Sequence, residues 1–176
     1  QNVGVAAAAS AGAEIIAFFD QDSVIGAGFL PALVAPLHIG EPDIVSPMYR
    51  DETSKVELPA VRVSRYGITS AVRRGDSSGP YPVDVVISSG TAATKEVFEL
   101  AGTFDEGLFI DFVDTEWCLR CRSKGVSIRV VPAAVMDHRI GSKSISVGAL
   151  TIFVHSPVRC YYQVRNCFHL FRKRHI

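Results

Sequence analysis

Apolar positions recur along this chain with two periods, and the switching between them sets out its elements. Residues 3–11 form an Ala-rich run ending at Gly12, and "EIIAFF" (14–19) follows as an uninterrupted apolar stretch. The first predicts a helix with a glycine stop; the second, short and apolar at successive positions, predicts a strand covered on both faces. "GFLPALVAPL" (28–37) returns to helical spacing and is closed by Gly40 and Pro42, and "DIVSPMY" (43–49) is the next strand. From 50 to 82 charges, Gly, Pro and Ser accumulate between short alternating runs such as "VRVSRYG" and "ITSAVRR", which predicts an antiparallel excursion near 60–75. "VDVVISS" (83–89) predicts another buried strand, "TKEVFELAG" and "DTEWCLRCRSKG" two helices stopped by Gly102 and Gly125, and "VSIRVVP" (126–132) a further strand. "RIGSKSISVG" after His138 reads as a Gly/Ser loop. Ser156 and Pro157 then make an N-cap and first-turn pair for a last helix, in which Val158, Tyr161, Tyr162, Phe168 and Phe171 recur at helical spacing.

Strands alternating with helices predict an α/β fold, in which loops leaving the strand C-termini gather along one sheet edge and build the site. Both the Asp20 loop and the Ser88 loop are expected there. At 176 residues and 48% hydrophobic content the chain can bury one core. Eighteen basic and eighteen acidic side chains balance, which excludes wrapping of nucleic acid by charge alone. No apolar run reaches the roughly 20 residues a spanning helix requires, and the N-terminus lacks the basic start of a secretory signal, so a cytoplasmic protein is expected. Of the four cysteines, Cys118 and Cys121 form a C-x-x-C inside a helical pattern rather than at a helix N-terminus, which favours buried thiols over redox or zinc chemistry.

Candidate chemistry starts at "FFDQDS". Asp20 and Asp22, two positions apart at a strand end, suit a hard divalent cation such as Mg2+ or Mn2+; a polar turn with an Asp cap uses the same residues. Farther on, "FDEGLFIDFVDTEWCLRCRSKG" (104–125) places Asp111, Asp114 and Glu116 just before and within the first turn of a helix, where the dipole favours ionised carboxylates. Asp114 is the candidate base, since a carboxylate near a metal-bound electrophile can take a proton from an incoming hydroxyl; ordinary N-terminal capping is the plainer account. Trp117, the one tryptophan, could offer a sugar ring a flat face or simply pack in the core.

In their order, "NVGVAAA", "FFDQDS", "VISSGT", "GTFDEGLFIDFVDTEWCLR" and "HRIG" resemble the inverting family 2 glycosyltransferases of GT-A fold, above all their bacterial rhamnosyltransferase branch, over nearly the whole chain. The resemblance implies a GT-A-like, mostly parallel sheet flanked by helices, a partial core over 1–155, and a C-terminal amphipathic helix over 156–176 packed on it. It implies that Asp20, Asp22 and His138 hold Mg2+ or Mn2+ on the diphosphate of a nucleoside-diphosphate sugar. Asp114 is then the catalytic base and Glu116 orients the acceptor, while Ser88, Ser89, Gly90, Asp111 and Trp117 belong to the donor and acceptor pocket. The acceptor is expected to be a glycan or a lipid-linked sugar, with peripheral contact at the inner face of the plasma membrane through the aromatic, basic-tailed last helix. Arg159 or Arg165 of that helix is placed to approach a phosphate.

Two departures qualify the resemblance. The family opens with a βαβ unit that holds the nucleotide base, which implies an N-terminally truncated chain, and Ser10 stands where the family pattern has a second Asn. Two rival readings follow. The apolar strand with D-x-D also fits a haloacid-dehalogenase-like phosphatase, with Ser88 or Ser89, Lys95 and the Asp111/Asp114 pair in its later motifs. The other is a non-catalytic nucleotide-sugar-binding fragment.

Overall fold

A computed structural model describes residues 1–21, 23–64, 66–75, 78–138, 143–147, 150–154 and 156–173, with the backbone alone given for 138, 143–147 and 150–154. The elements in chain order are α1 (Asn2–Ser10), β1 (Ile15–Ala17), α2 (Phe29–Val34), β2 (Asp43–Asp51), β3 (Ala60–Val63), β4 (Thr69–Val72), β5 (Tyr81–Pro82), β6 (Ala92–Thr94), α3 (Lys95–Ala101), α4 (Val113–Ser123), β7 (Ser127–His138), β8 (Lys143–Val147), β9 (Leu150–Val154) and α5 (Pro157–Arg172). Five strands form one sheet in the order β1-β6-β2-β7-β5, and β3-β4 and β8-β9 are separate hairpins.

The α/β class and the antiparallel excursion at 60–75 are as expected, with β3 paired antiparallel to β4 and Val61 opposite Ala71. The sheet itself is mixed rather than mostly parallel: among the described residues β2·β7 is the parallel ladder, and the other three are antiparallel. The reason is β6, which lies between β1 and β2 and runs against both. β1 and β2, which share a direction, are thereby kept from being neighbours.

Each face of the sheet carries its own core. Ile44, Ala93 and Ile128 point toward α3 and α4 and pack with Val97, Phe104, Trp117 and Cys118. Val45, Ala92, Val131 and Met136 point the other way, onto Phe29 and Leu33 of α2. Successive residues such as Ile44 and Val45 therefore bury on opposite faces, as a strand's two-residue period requires. Burying a side chain such as Leu33, which is 0% exposed, contributes on the order of 1.5–3 kcal/mol.

Four elements depart from their sequence patterns. β1 is shorter than its apolar run and covered on one face only, with Ile16 buried and Ala17 exposed. "VDVVISS" forms no extended strand; Asp84 instead accepts from the Val63 N–H at 2.7 Å and pairs with Arg122 at 3.2 Å, spending its backbone neighbours on the β3 hairpin. The strand there is Ala92–Thr94, whose two alanines favour helix by propensity but are fully buried between two partner strands, so tertiary pairing overrides propensity. The Gly/Ser segment after His138 contains β8, which pairs with β9 through Ile145↔Ile152. In α5, Val158, Tyr161, Val164, Phe168 and Phe171 face outward, and the residues buried are Asn166 and Leu170. Ser156 does cap that helix, accepting from the Arg159 N–H at 3.3 Å, with Pro157 in the first turn.

Candidate active site

β1 and β6 run antiparallel, so the chain leaving β1 meets the chain entering β6. The Phe18 N–H donates to the Thr91 carbonyl at 2.9 Å and the Gly90 N–H to the Phe18 carbonyl at 2.7 Å. One step farther, the Asp20 N–H donates to Ser89 Oγ at 3.3 Å, and the Ser89 and Ser23 hydroxyls share a hydrogen bond at 2.9 Å. Asp20 and Ser88 are neighbours for this reason, and not because both follow strand C-termini as the alternation of elements suggested. The approach is close at Gly90, where φ is +81° and an added Cβ would lie 2.7 Å from Met136 Sδ and 2.8 Å from Pro47 Cγ. Behind it the Tyr49 hydroxyl donates to the Ser89 carbonyl at 2.6 Å.

The opposite wall is the segment leading into α4. Asp111 (φ +63°) and Phe112 (φ +61°) are consecutive left-handed residues, and α4 begins immediately after them, its first turn bearing Asp114 and Glu116. The two walls enclose a cleft of about 790 Å³ lined by Asp20, Ser88, Asp111, Asp114, Thr115 and Arg159, with Gln1, Asn2 and Phe109 at its margin. The Asn2 side chain ties α1 to the far wall, donating to the Phe104 carbonyl at 2.9 Å and accepting from the Phe104 N–H at 3.0 Å.

Asp20 and Asp114, remote in sequence, therefore face one space. Burial pushes the Asp114 carboxyl above its ordinary range, hydrogen bonds from the Ser88 N–H and hydroxyl oppose that rise, and the nearby Asp20 charge adds to it. Asp111 also lines the cleft, but its carboxylate is taken in a fork by Arg159, at 2.8 to 3.0 Å.

Of the other residues singled out in the sequence, those whose side chains are described do not face the cleft. Glu116 is 0% exposed and held by Arg120 in a two-point ion pair at 2.8 and 2.9 Å, so it faces the protein and not an acceptor in the cleft. Trp117, 2% exposed, is enclosed by Phe18, Phe98 and Phe104 and donates its indole N–H to the Gly102 carbonyl at 3.1 Å, which leaves no face for a sugar. Ser89 and Gly90 are buried behind the wall that Ser88 presents. The backbone of His138 pairs with Asp51 at the end of the β2·β7 ladder. Asp22 lies outside the described residues. Lys95, which the phosphatase reading needs beside the aspartates, borders a separate hollow with Val5 and Phe98. Sequence patterns gave no signal for Tyr49 or Asn166, whose roles depend on contacts across the fold.

Among the described residues no three His, Cys, Asp or Glu side chains gather closely enough to cage a metal ion. The donor set of the cleft nonetheless fits a Mg2+-like ion, which takes one or two carboxylates and fills its remaining positions with water and substrate phosphates.

No protein-family model matches the chain. In sequence it is 42% identical, over all of its 176 residues, to the dTDP-rhamnosyl transferase RfbF of Shigella flexneri, and it spans 60% of that relative's length. In structure it is similar to the crystal structure of GalNAc-T7 with UDP, GalNAc and Mn2+, at a TM-score of 0.59 and 16% identity, over 77% of this chain and 30% of that one. The second likeness is one of fold.

Proposed function

We propose, for a chain that carries the GT-A glycosyltransferase fold and a rhamnosyltransferase-like sequence, that it transfers a sugar, rhamnose by its likeness to the Shigella flexneri enzyme, from a nucleoside diphosphate to a glycan or lipid-linked acceptor with inversion. The observation that supports this best is the meeting of Asp20 and Asp114 in one cleft, the second with its proton affinity raised.

A divalent ion held by Asp20 and Asp22, with His138 as a further ligand, would neutralise charge on the departing diphosphate. Asp114 accepts the proton of the acceptor hydroxyl while that oxygen bonds to the anomeric carbon. The bond to the donor phosphate oxygen breaks on the opposite face, and the diphosphate leaves with its electron pair. A base whose proton affinity is raised toward the working pH suits this task better than an ordinary carboxylate. Ser88, hydrogen-bonded to that carboxylate, orients it.

The outward stripe of Val158, Tyr161, Val164, Phe168 and Phe171, with Arg172 at its end, supports peripheral contact with an anionic lipid surface that carries the acceptor. Among the described residues no helix is long and apolar enough to cross a membrane. Co-sedimentation with anionic vesicles that persists in a Phe168→Ser/Phe171→Ser variant would remove this part of the proposal.

The main test is a division of labour. Asp114→Asn is expected to keep Mn2+-dependent binding of the nucleoside diphosphate and to lose transfer by about 10²–10⁴-fold. Asp20→Asn and Asp22→Asn are expected to weaken that binding itself. Calorimetry and product analysis with dTDP-rhamnose read both, and equal loss of binding in all three variants would overturn the assignment.

A further inference from the structure

The wall that delivers Asp114 carries little regular structure of its own. Between Ala101, the end of α3, and Val113, the start of α4, the chain forms no helix or strand, and it reaches α4 through two successive left-handed residues with side chains, Asp111 and Phe112. Such a conformation persists only where the surroundings over-determine it. Phe112, the residue that caps α4, makes no capping hydrogen bond with its side chain.

What holds this turn comes from α5. Asn166, 0% exposed, donates through Nδ2 to the Ile110 carbonyl at 2.8 Å and the Asp111 carbonyl at 3.0 Å, the peptide groups on either side of Asp111. Arg165 fixes that amide by donating to Asn166 Oδ1 at 2.9 Å, and its other nitrogen donates to the Gly107 carbonyl at 3.0 Å. Two helical turns earlier Arg159 grips the Asp111 carboxylate, and one and two turns later His169 and Lys173 reach Asp105, His169 at 2.8 Å. The polar face of α5 is thus committed, turn by turn, to residues 105–111.

We propose that α5 is a latch that sets the aim of Asp114, with Asn166 and Arg159 as positioning residues that never touch substrate. Asp114 stands three residues beyond Asp111, in the first turn of α4, so any relaxation of the left-handed pair rotates that turn and carries the carboxylate off line. A misplacement of about 1 Å in a reacting group costs on the order of 10²-fold in rate. The inference rests on the base role assigned to Asp114, and its test separates the two.

In the full chain, Asn166→Ala and Arg159→Gln are compared with the unsubstituted protein by transfer kinetics and by amide hydrogen exchange. The expected result is a kcat loss of about 10–100-fold with donor KM within about twofold, partial recovery in Arg159→Lys, and faster exchange of the amides of 112–116 with the sheet unchanged. Arg159 is 44% exposed at its side chain, so its variants keep the fold even if Asn166→Ala does not. Unchanged exchange at 112–116 in Arg159→Gln overturns the latch whatever the activity. Faster exchange there with kcat intact shows a latch that does not aim the base, and overturns the positioning role. If the unsubstituted chain binds a nucleoside diphosphate but transfers nothing, the functional reading fails while the exchange result still decides the latch.

Discussion

Ser88 directs both its backbone N–H and its hydroxyl at the carboxylate of Asp114, and Gln1 in turn donates to the Ser88 hydroxyl at 2.8 Å. The start of α1, the approach to β6 and the first turn of α4 are thereby joined around one titrating group. Ser88 stabilises the charged form of Asp114, whereas burial and the Asp20 charge stabilise the protonated form.

These opposing influences give variants that move in opposite directions. Ser88→Ala removes a donor to the carboxylate, so the acid limb of the pH profile of kcat/KM is expected to shift to higher pH. Asp20→Asn removes a like charge, so that limb is expected to shift lower, apart from any loss in binding. A shift in the same direction for both would contradict the electrostatic account.

Stability should respond in a related way. The Asp114 carboxyl is raised in the folded protein, so folding favours its protonated form and the protein loses stability as pH rises from the ordinary carboxylate range, near about 4, through the raised value. Asp114→Asn cannot ionise and escapes that loss. Urea unfolding between pH 4 and 7 is expected to show the variant gaining on the parent as pH rises, so that the change that abolishes transfer stabilises the fold.

The Glu116–Arg120 pair is expected to act on folding rather than on acceptor binding. Arg120→Met leaves the buried Glu116 carboxylate without its cation and also removes the bond to the Thr103 carbonyl at 2.8 Å. A loss of about 3–5 kcal/mol is expected in chemical unfolding. Acceptor KM in Glu116→Gln, measured on the fraction that folds, should stay within about twofold, and a large rise there would restore the orienting role the sequence suggested.

Gly90→Ala combines an unfavourable left-handed backbone with contacts under 3 Å to the rigid Pro47 ring and to Met136. The expected cost is about 2–4 kcal/mol in unfolding free energy. Any variant that survives folding must shift Ser88–Gly90 relative to Asp20, so loss of Mn2+-linked diphosphate binding should accompany it.

Much of the fold was legible where pattern and environment agree. The α5 start at Ser156-Pro157, the hairpin at 60–75 and the α4 helix before Gly125 follow from capping, alternation and a glycine stop, which are local signals. Ala92–Thr94 was not legible, because its strand character comes from two partner strands and not from its own residues. Asp20 and Asp114 could be picked out by residue type and spacing. Glu116 and Trp117 could not be told from site residues in the same way, because their burial is decided by Arg120 on the next turn and by phenylalanines from three other segments. The outward stripe of α5 misled in the opposite sense: its aromatic spacing suggests packing, yet the helix is held by Arg159, Arg165, Asn166 and His169.

The four thiols divide by location. Cys118 and Cys121 are buried, and burial pushes Cys121 up to about 12 and Cys118 higher still, so neither offers a thiolate at neutral pH. Cys160 and Cys167 are exposed on α5, two turns apart on one side of it. An alkylating fluorophore would therefore mark that helix and spare the interior, giving an optical report on α5 from the native sequence, without engineered handles.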